Sequence, residues 1–86
     1  MSALAPEPAP DLDVHEVEDG LVVYDLTNDR VHYLNRTASV VYLLCNGKHN
    51  VDEIVELVRA AWELPDRPEA EVRACLEQLR DEGVIR

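Results

Sequence analysis

The hydrophobic period of the chain changes at Leu34, from about two residues to about 3.6, and no single-class fold accommodates both halves. Before that point Val14 and Val17 mark a first strand beginning near Leu12, and Asp19-Gly20 is a turn signal. Leu21-Val22-Val23-Tyr24-Asp25-Leu26, rich in β-branched and aromatic residues, is a second strand. Thr27-Asn28-Asp29-Arg30 is the next turn and Val31-His32-Tyr33-Leu34 a third strand. The connections are too short for a parallel crossover, so the three strands form an antiparallel meander.

After Leu34 the apolar residues follow helical spacing. Ala38, Val41, Tyr42 and Cys45, flanked by Val40, Leu43 and Leu44, make a helix that is apolar on most of its circumference, capped by Asn35 or Thr37 and stopped at Asn46-Gly47. Val51, Ile54, Leu57, Val58, Ala61 and Trp62 form the stripe of a second helix, with Asn50 and Glu53 at capping-box spacing. Asp66 and Glu69 repeat that spacing. Pro68 suits a first turn, and Val72, Cys75, Leu76 and Leu79 are the buried stripe of a third helix that Gly83 ends, leaving Val84 and Ile85 to pack or pair briefly. The expected class is α+β: a three-stranded antiparallel sheet followed by three helices, with a winged helix-turn-helix outline. Residues 1–11, with Pro6, Pro8 and Pro10 among alanines, are expected to be a flexible tail, and residues 12–86 one domain with one core.

Composition removes several function classes. With 18 acidic and 8 basic residues the formal net charge is −10 at pH 7, the wrong sign for nucleic acid or an anionic membrane surface. The start lacks a basic, then apolar, targeting segment and no apolar run reaches bilayer length, so a cytoplasmic location is expected. His15, His32 and His49 are widely spaced, and Cys45 and Cys75 stand thirty residues apart on apolar helical stripes. These patterns suit core thiols rather than a metal site, a disulfide or a nucleophile, so no catalytic residue and no cofactor is assigned. Gly20, Gly47 and Gly83 stand singly, which leaves no phosphate loop. Trp62 and Tyr42 are read as packing rather than interface anchors.

The order Leu34-Asn35-Arg36-Thr37-Ala38, Leu44-Cys45-Asn46-Gly47, Val51-Asp52-Glu53-Ile54, Leu76-Glu77-Gln78-Leu79 and Gly83-Val84-Ile85 resembles the pattern of the PqqD-like family of RiPP recognition elements, from about Asp19 to Ile85. Asn46 replaces the usual Asp before the helix-ending glycine, a change compatible with the same cap. The resemblance implies a peptide chaperone without chemistry of its own. Such a domain holds the leader of a ribosomally made precursor for a modifying enzyme, such as a radical SAM protein or a leader peptidase, in natural-product or cofactor biosynthesis. It also implies that the leader adds as a strand beside the third strand, in a groove bounded by the last helix.

Carried onto this chain, the peptide-binding residues are Val31, His32, Tyr33 and Leu34 on the strand and Arg73, Leu76 and Arg80 on the helix. Alternation puts Val31 and Tyr33 on one face and His32 and Leu34 on the other, without saying which is core; Leu34 is expected to be mainly structural and Val31 and Tyr33 nearer the groove. Arg73 and Arg80 either anchor acidic leader residues or pair with Glu69 and Glu77 on a solvated face. Two other classes remain: a winged-helix DNA-binding regulator and a general protein-interaction adaptor. Against the first, residues 68–82 carry Glu69, Glu71, Glu77, Asp81 and Glu82 against Arg73 and Arg80, a net of −3 where phosphate would sit.

Overall fold

A computed structural model describes residues 5–86. Three strands, β1 (Leu12–Val17), β2 (Gly20–Asp25) and β3 (Arg30–Leu34), precede three helices, α1 (Arg36–Leu44), α2 (Val51–Ala61) and α3 (Glu69–Asp81). The sheet is antiparallel in the order β1-β2-β3, with Val14 opposite Val23 and Val23 opposite His32. The α+β class and the order of elements are those expected from the sequence.

Period-two burial sets the sheet's inner face. Leu21, Val23 and Asp25 of β2 and Leu34 of β3 are buried, whereas Tyr24, Val31 and Tyr33 face outward. The helices cover the inner face: α1 packs on β2 and β3, and α2 and α3 pack on α1. Val41, Tyr42 and Cys45 from α1 and its cap join Ile54, Val55 and Val58 from α2 and Val72, Leu76 and Leu79 from α3 in one core, with Trp62 partly buried against it.

Two boundaries differ from the sequence reading. Gly20 is the first residue of β2 rather than part of the turn, because Val17 pairs with it across a two-residue connection. A Cβ at Gly20 would stand 1.8 Å from the Leu34 carbonyl oxygen, so only glycine lets β2 pass so close to the β3 exit. That same oxygen accepts a bond from Ser39 Oγ at 3.0 Å, tying β3 to α1. The second difference concerns α3. Its N-cap is Pro68, with no side-chain cap bond, and Asp66 does not cap it. The other caps are local and form as read: Asn35 Oδ1 accepts from Ala38 N, and Asn50 and Glu53 make both halves of a capping box.

Of the expected tail, residues 1–4 lie outside the described residues. The rest includes a docked segment. Glu7 and Arg86 exchange backbone bonds of 3.0 and 2.9 Å, Ala9 N donates to Val84 O, and Pro8 bridges Ile85. Pro6 is buried and its carbonyl accepts from Gly47 N. Proline suits this placement because the neighbouring amides of Glu7 and Ala9 supply the bonds that a proline nitrogen has no hydrogen to make. Val84 and Ile85 are buried beneath the segment.

Candidate functional site

β3 is a sheet edge, and no Cα of β3 lies within 8 Å of a Cα of α3. The two elements flank an open seam floored by the start of α1. At its foot is a hollow of about 90 Å³. Leu34, Ala38, Cys75 and Leu79 give it apolar walls, and Tyr33, Asn35, Gln78 and Glu82 form its polar margin. An edge strand leaves backbone N–H and C=O groups unpaired. Neighbouring strands lie about 4.8 Å apart, and among the described residues no strand pairs with the outer edge of β3.

The face of β3 that alternation left open is now assigned. Leu34 is 3% exposed and His32 is largely covered, so both point inward; Val31 (62%) and Tyr33 (61%) are open to solvent on the outer face. There Val31 lies opposite Tyr24 and Tyr33 opposite Val22, while the Tyr24 ring meets His15 edge-on at 5.5 Å. His32 reaches across the seam, with Nδ1 3.6 Å from Glu82 Oε1. Its Nε2 is buried with no hydrogen-bond partner among the described residues. Gln78 Nε2 donates to the other Glu82 oxygen at 3.2 Å, so Gln78, Glu82 and His32 form a polar line along the seam.

The helix residues expected beside this strand lie elsewhere. Arg73 is bonded to Glu69 at 2.8 and 2.9 Å on an exposed face, and Leu76 is a core residue. Arg73, Leu76 and Arg80 together line, with Val51 and Glu77, a separate depression on the α2 side of α3. At about 100° per residue, Arg73, Leu76 and Arg80 centre about 140° around the helix from Cys75, Gln78, Leu79 and Glu82. The structure therefore brings His32, Tyr33 and Leu34 to the seam beside Cys75, Gln78 and Glu82, leaves Val31 on the outer sheet face, and gathers Arg73, Leu76 and Arg80 along the depression on the α2 side. The i, i+3, i+4, i+7 spacing of residues 75, 78, 79 and 82 was visible in the sequence. Which flank of the buried stripe turned toward β3 was not.

Burial raises the Cys75 thiol above its ordinary value and pushes that of Cys45 up to about 11. Cys45 Sγ donates to Val41 O at 3.1 Å. Both cysteines are free, and neither has the lowered pKa of a nucleophile. Among the described residues no group of three or more His, Cys, Asp or Glu side chains is arranged to hold a metal ion, and no helix is long and apolar enough to cross a membrane.

A family model described as coenzyme PQQ synthesis protein D (PqqD) matches residues 20–85. Among solved structures, the chain is similar to "TbiB1 in Complex with the TbiA(beta) Leader Peptide", with a TM-score of 0.79 and 21% identity over 92% of this chain and 93% of that one. It is also similar to part of "Structure of the heterocyclase TruD", with a TM-score of 0.71 and 19% identity over 95% of this chain but 11% of that one. At these identities the likeness is one of fold. No curated protein matches the chain in sequence.

Proposed function

The chain belongs to the PqqD family, and on that premise we propose that it is a RiPP recognition element, binding the leader of a ribosomally made precursor and presenting it to a modifying enzyme. The observation that carries this reading is the β3 edge, left unpaired among the described residues beside α3, with a hollow walled by Leu34, Ala38, Cys75 and Leu79 at its foot. A leader entering there satisfies the β3 main chain and gains sequence selectivity from the hollow. The likeness in fold to a chain solved with a leader peptide supports leader binding. The peptide-contacting residues are then His32 and Tyr33 on the strand and Cys75, Gln78 and Glu82 on the helix, with Leu34 holding the wall. The domain comprises residues 12–86 with the 6–9 segment docked on it.

The role is binding, with the chemistry left to the partner. The raised thiols of Cys45 and Cys75 support this division, and the likeness to a small share of a heterocyclase fits a fold that works together with a modifying enzyme. A radical SAM protein or a leader peptidase fills the same place equally well.

Titrating a synthetic leader peptide of the cognate precursor tests the site. Gln78→Trp, at an exposed position on the hollow's margin, is expected to weaken binding at least tenfold, whereas Arg73→Glu and Arg80→Glu leave it within twofold. Circular dichroism checks that each variant is folded. If Arg80→Glu abolishes binding while Gln78→Trp does not, the leader lies on the other flank of α3 and the seam is not the site.

A further inference from the structure

A second surface lies where the β1–β2 hairpin meets the outer flank of α1. An open hollow of about 500 Å³ is found there. Its apolar lining includes Val17, Val40 and Leu43, and Leu43 is 58% exposed despite lying on a helix that otherwise supplies core. Glu16, Glu18 and Asp19 stand around it, with Arg36 as the one cation in the lining. Among the described residues none of these four side chains enters an ion pair with another side chain. An exposed aliphatic centre ringed by unpaired charge is the arrangement of a protein-docking site, with desolvated anchors inside and steering charges outside.

We propose that this hollow docks a cationic segment of the modifying enzyme, one that places aliphatic side chains over Val40 and Leu43 and arginine or lysine against Glu16, Glu18 and Asp19. Charge selects the occupant. A second copy of a chain carrying −10 would bring the same acidic rim against itself in a two-fold contact. Geometry separates the hollow from the leader seam. Ala38 faces the seam, and Arg36, Val40 and Leu43 centre roughly 160° around α1 from it. Leader and enzyme segment are therefore held at once, on opposite flanks of one short helix. The identity of the partner as a modifying enzyme rests on the leader-binding reading; the chemistry of the surface does not.

The probe is a fluorescein-labelled twelve-residue peptide of alternating arginine and leucine pairs, titrated against the full chain by anisotropy and mapped by amide shifts. A twin with serine for every leucine isolates the aliphatic anchors. The expected result is saturable binding, at least tenfold weaker for the serine twin and for Leu43→Ser or Glu18→Lys/Asp19→Lys, with shifts at Val17, Gly20, Val40 and Leu43. Leader affinity is measured on the same variants and is expected to stay within twofold. Equal binding of the two peptides, shifts concentrated on Tyr33 and Glu82, or a dimer in sedimentation that Leu43→Ser dissociates would each overturn the proposal. Failure of the leader alone to bind would overturn the leader reading and leave the docking surface standing.

Discussion

Gly20→Ala is expected to be among the most damaging single-atom additions to this protein. The new Cβ would lie 1.8 Å from Leu34 O and about 3 Å from the carbonyl carbons of Leu34 and Asn35, all of them backbone atoms that no rotamer change can remove. Restoring ordinary contact requires the β2 start or the β3 exit to shift by more than an ångström. Overpacking of this kind costs about 1–3 kcal/mol. The displaced oxygen is also the acceptor of the Ser39 hydroxyl, a buried bond whose loss costs about 1–3 kcal/mol more. The sum, roughly 2–6 kcal/mol, compares with a total stability of about 4–13 kcal/mol for a domain of this size. Gly83→Ala is the matched control. Gly83 has φ of +80° and nothing within 4 Å of its ideal Cβ, so only the left-handed backbone penalty of about 1–2 kcal/mol applies. Urea denaturation followed by Trp62 fluorescence and far-UV circular dichroism separates the two. If Gly20→Ala unfolds within about 0.5 kcal/mol of the parent, or is no less stable than Gly83→Ala, the close approach of β2 to the β3–α1 junction is not a constraint on the fold.

Three further outcomes follow from named contacts. Asn50→Ala removes the half of the α2 capping box in which Asn50 Oδ1 accepts from Glu53 N, leaving the bond from the residue 50 amide to Glu53, and should lower stability by about 1 kcal/mol in urea denaturation; no change would mean that the side-chain cap adds nothing to the packed helix. Hydrogen bonds from the Asn28 side chain and backbone, with a smaller effect of His32, hold the Asp25 carboxyl below its ordinary value. Its contribution is thus fully present above the unfolded carboxylate pKa and is lost as pH falls through the lowered folded value. The stability difference between the parent and Asp25→Asn should be constant near neutrality and shrink below about pH 4, and a difference that grows on acidification would contradict the assignment. With the Cys45 thiol pushed up to about 11, a thiol reagent at pH 8 should modify Cys45 only after urea unfolding, and rapid native-state labelling would refute its burial.

Much of the architecture was legible because its determinants are local. The change of period at Leu34 separates sheet from helices, the Asn50 and Glu53 spacing closes a capping box within one turn, and Gly83, at φ +80°, ends α3 where the pattern stops. Family membership was legible for the same reason, since each of the motifs that carry it is a cap, a stop or a stripe. The α3 start was misread because Asp66 and Glu69 have the spacing of a capping box, yet Pro68 stands at the cap and makes no side-chain bond. What the sequence determined by itself, then, was the kind and order of elements, through periodicity and capping, which act over a few residues. Tertiary structure alone decided which face of β3 is core, which flank of α3 turns to the seam, and that residues 7–9 pair with residues 84–86. Each of these depends on groups distant in sequence meeting in space. A helix with a buried stripe has two flanks of nearly equal polarity, and only packing on α1 and α2 places Gln78 and Glu82 at the seam and Arg73 and Arg80 away from it.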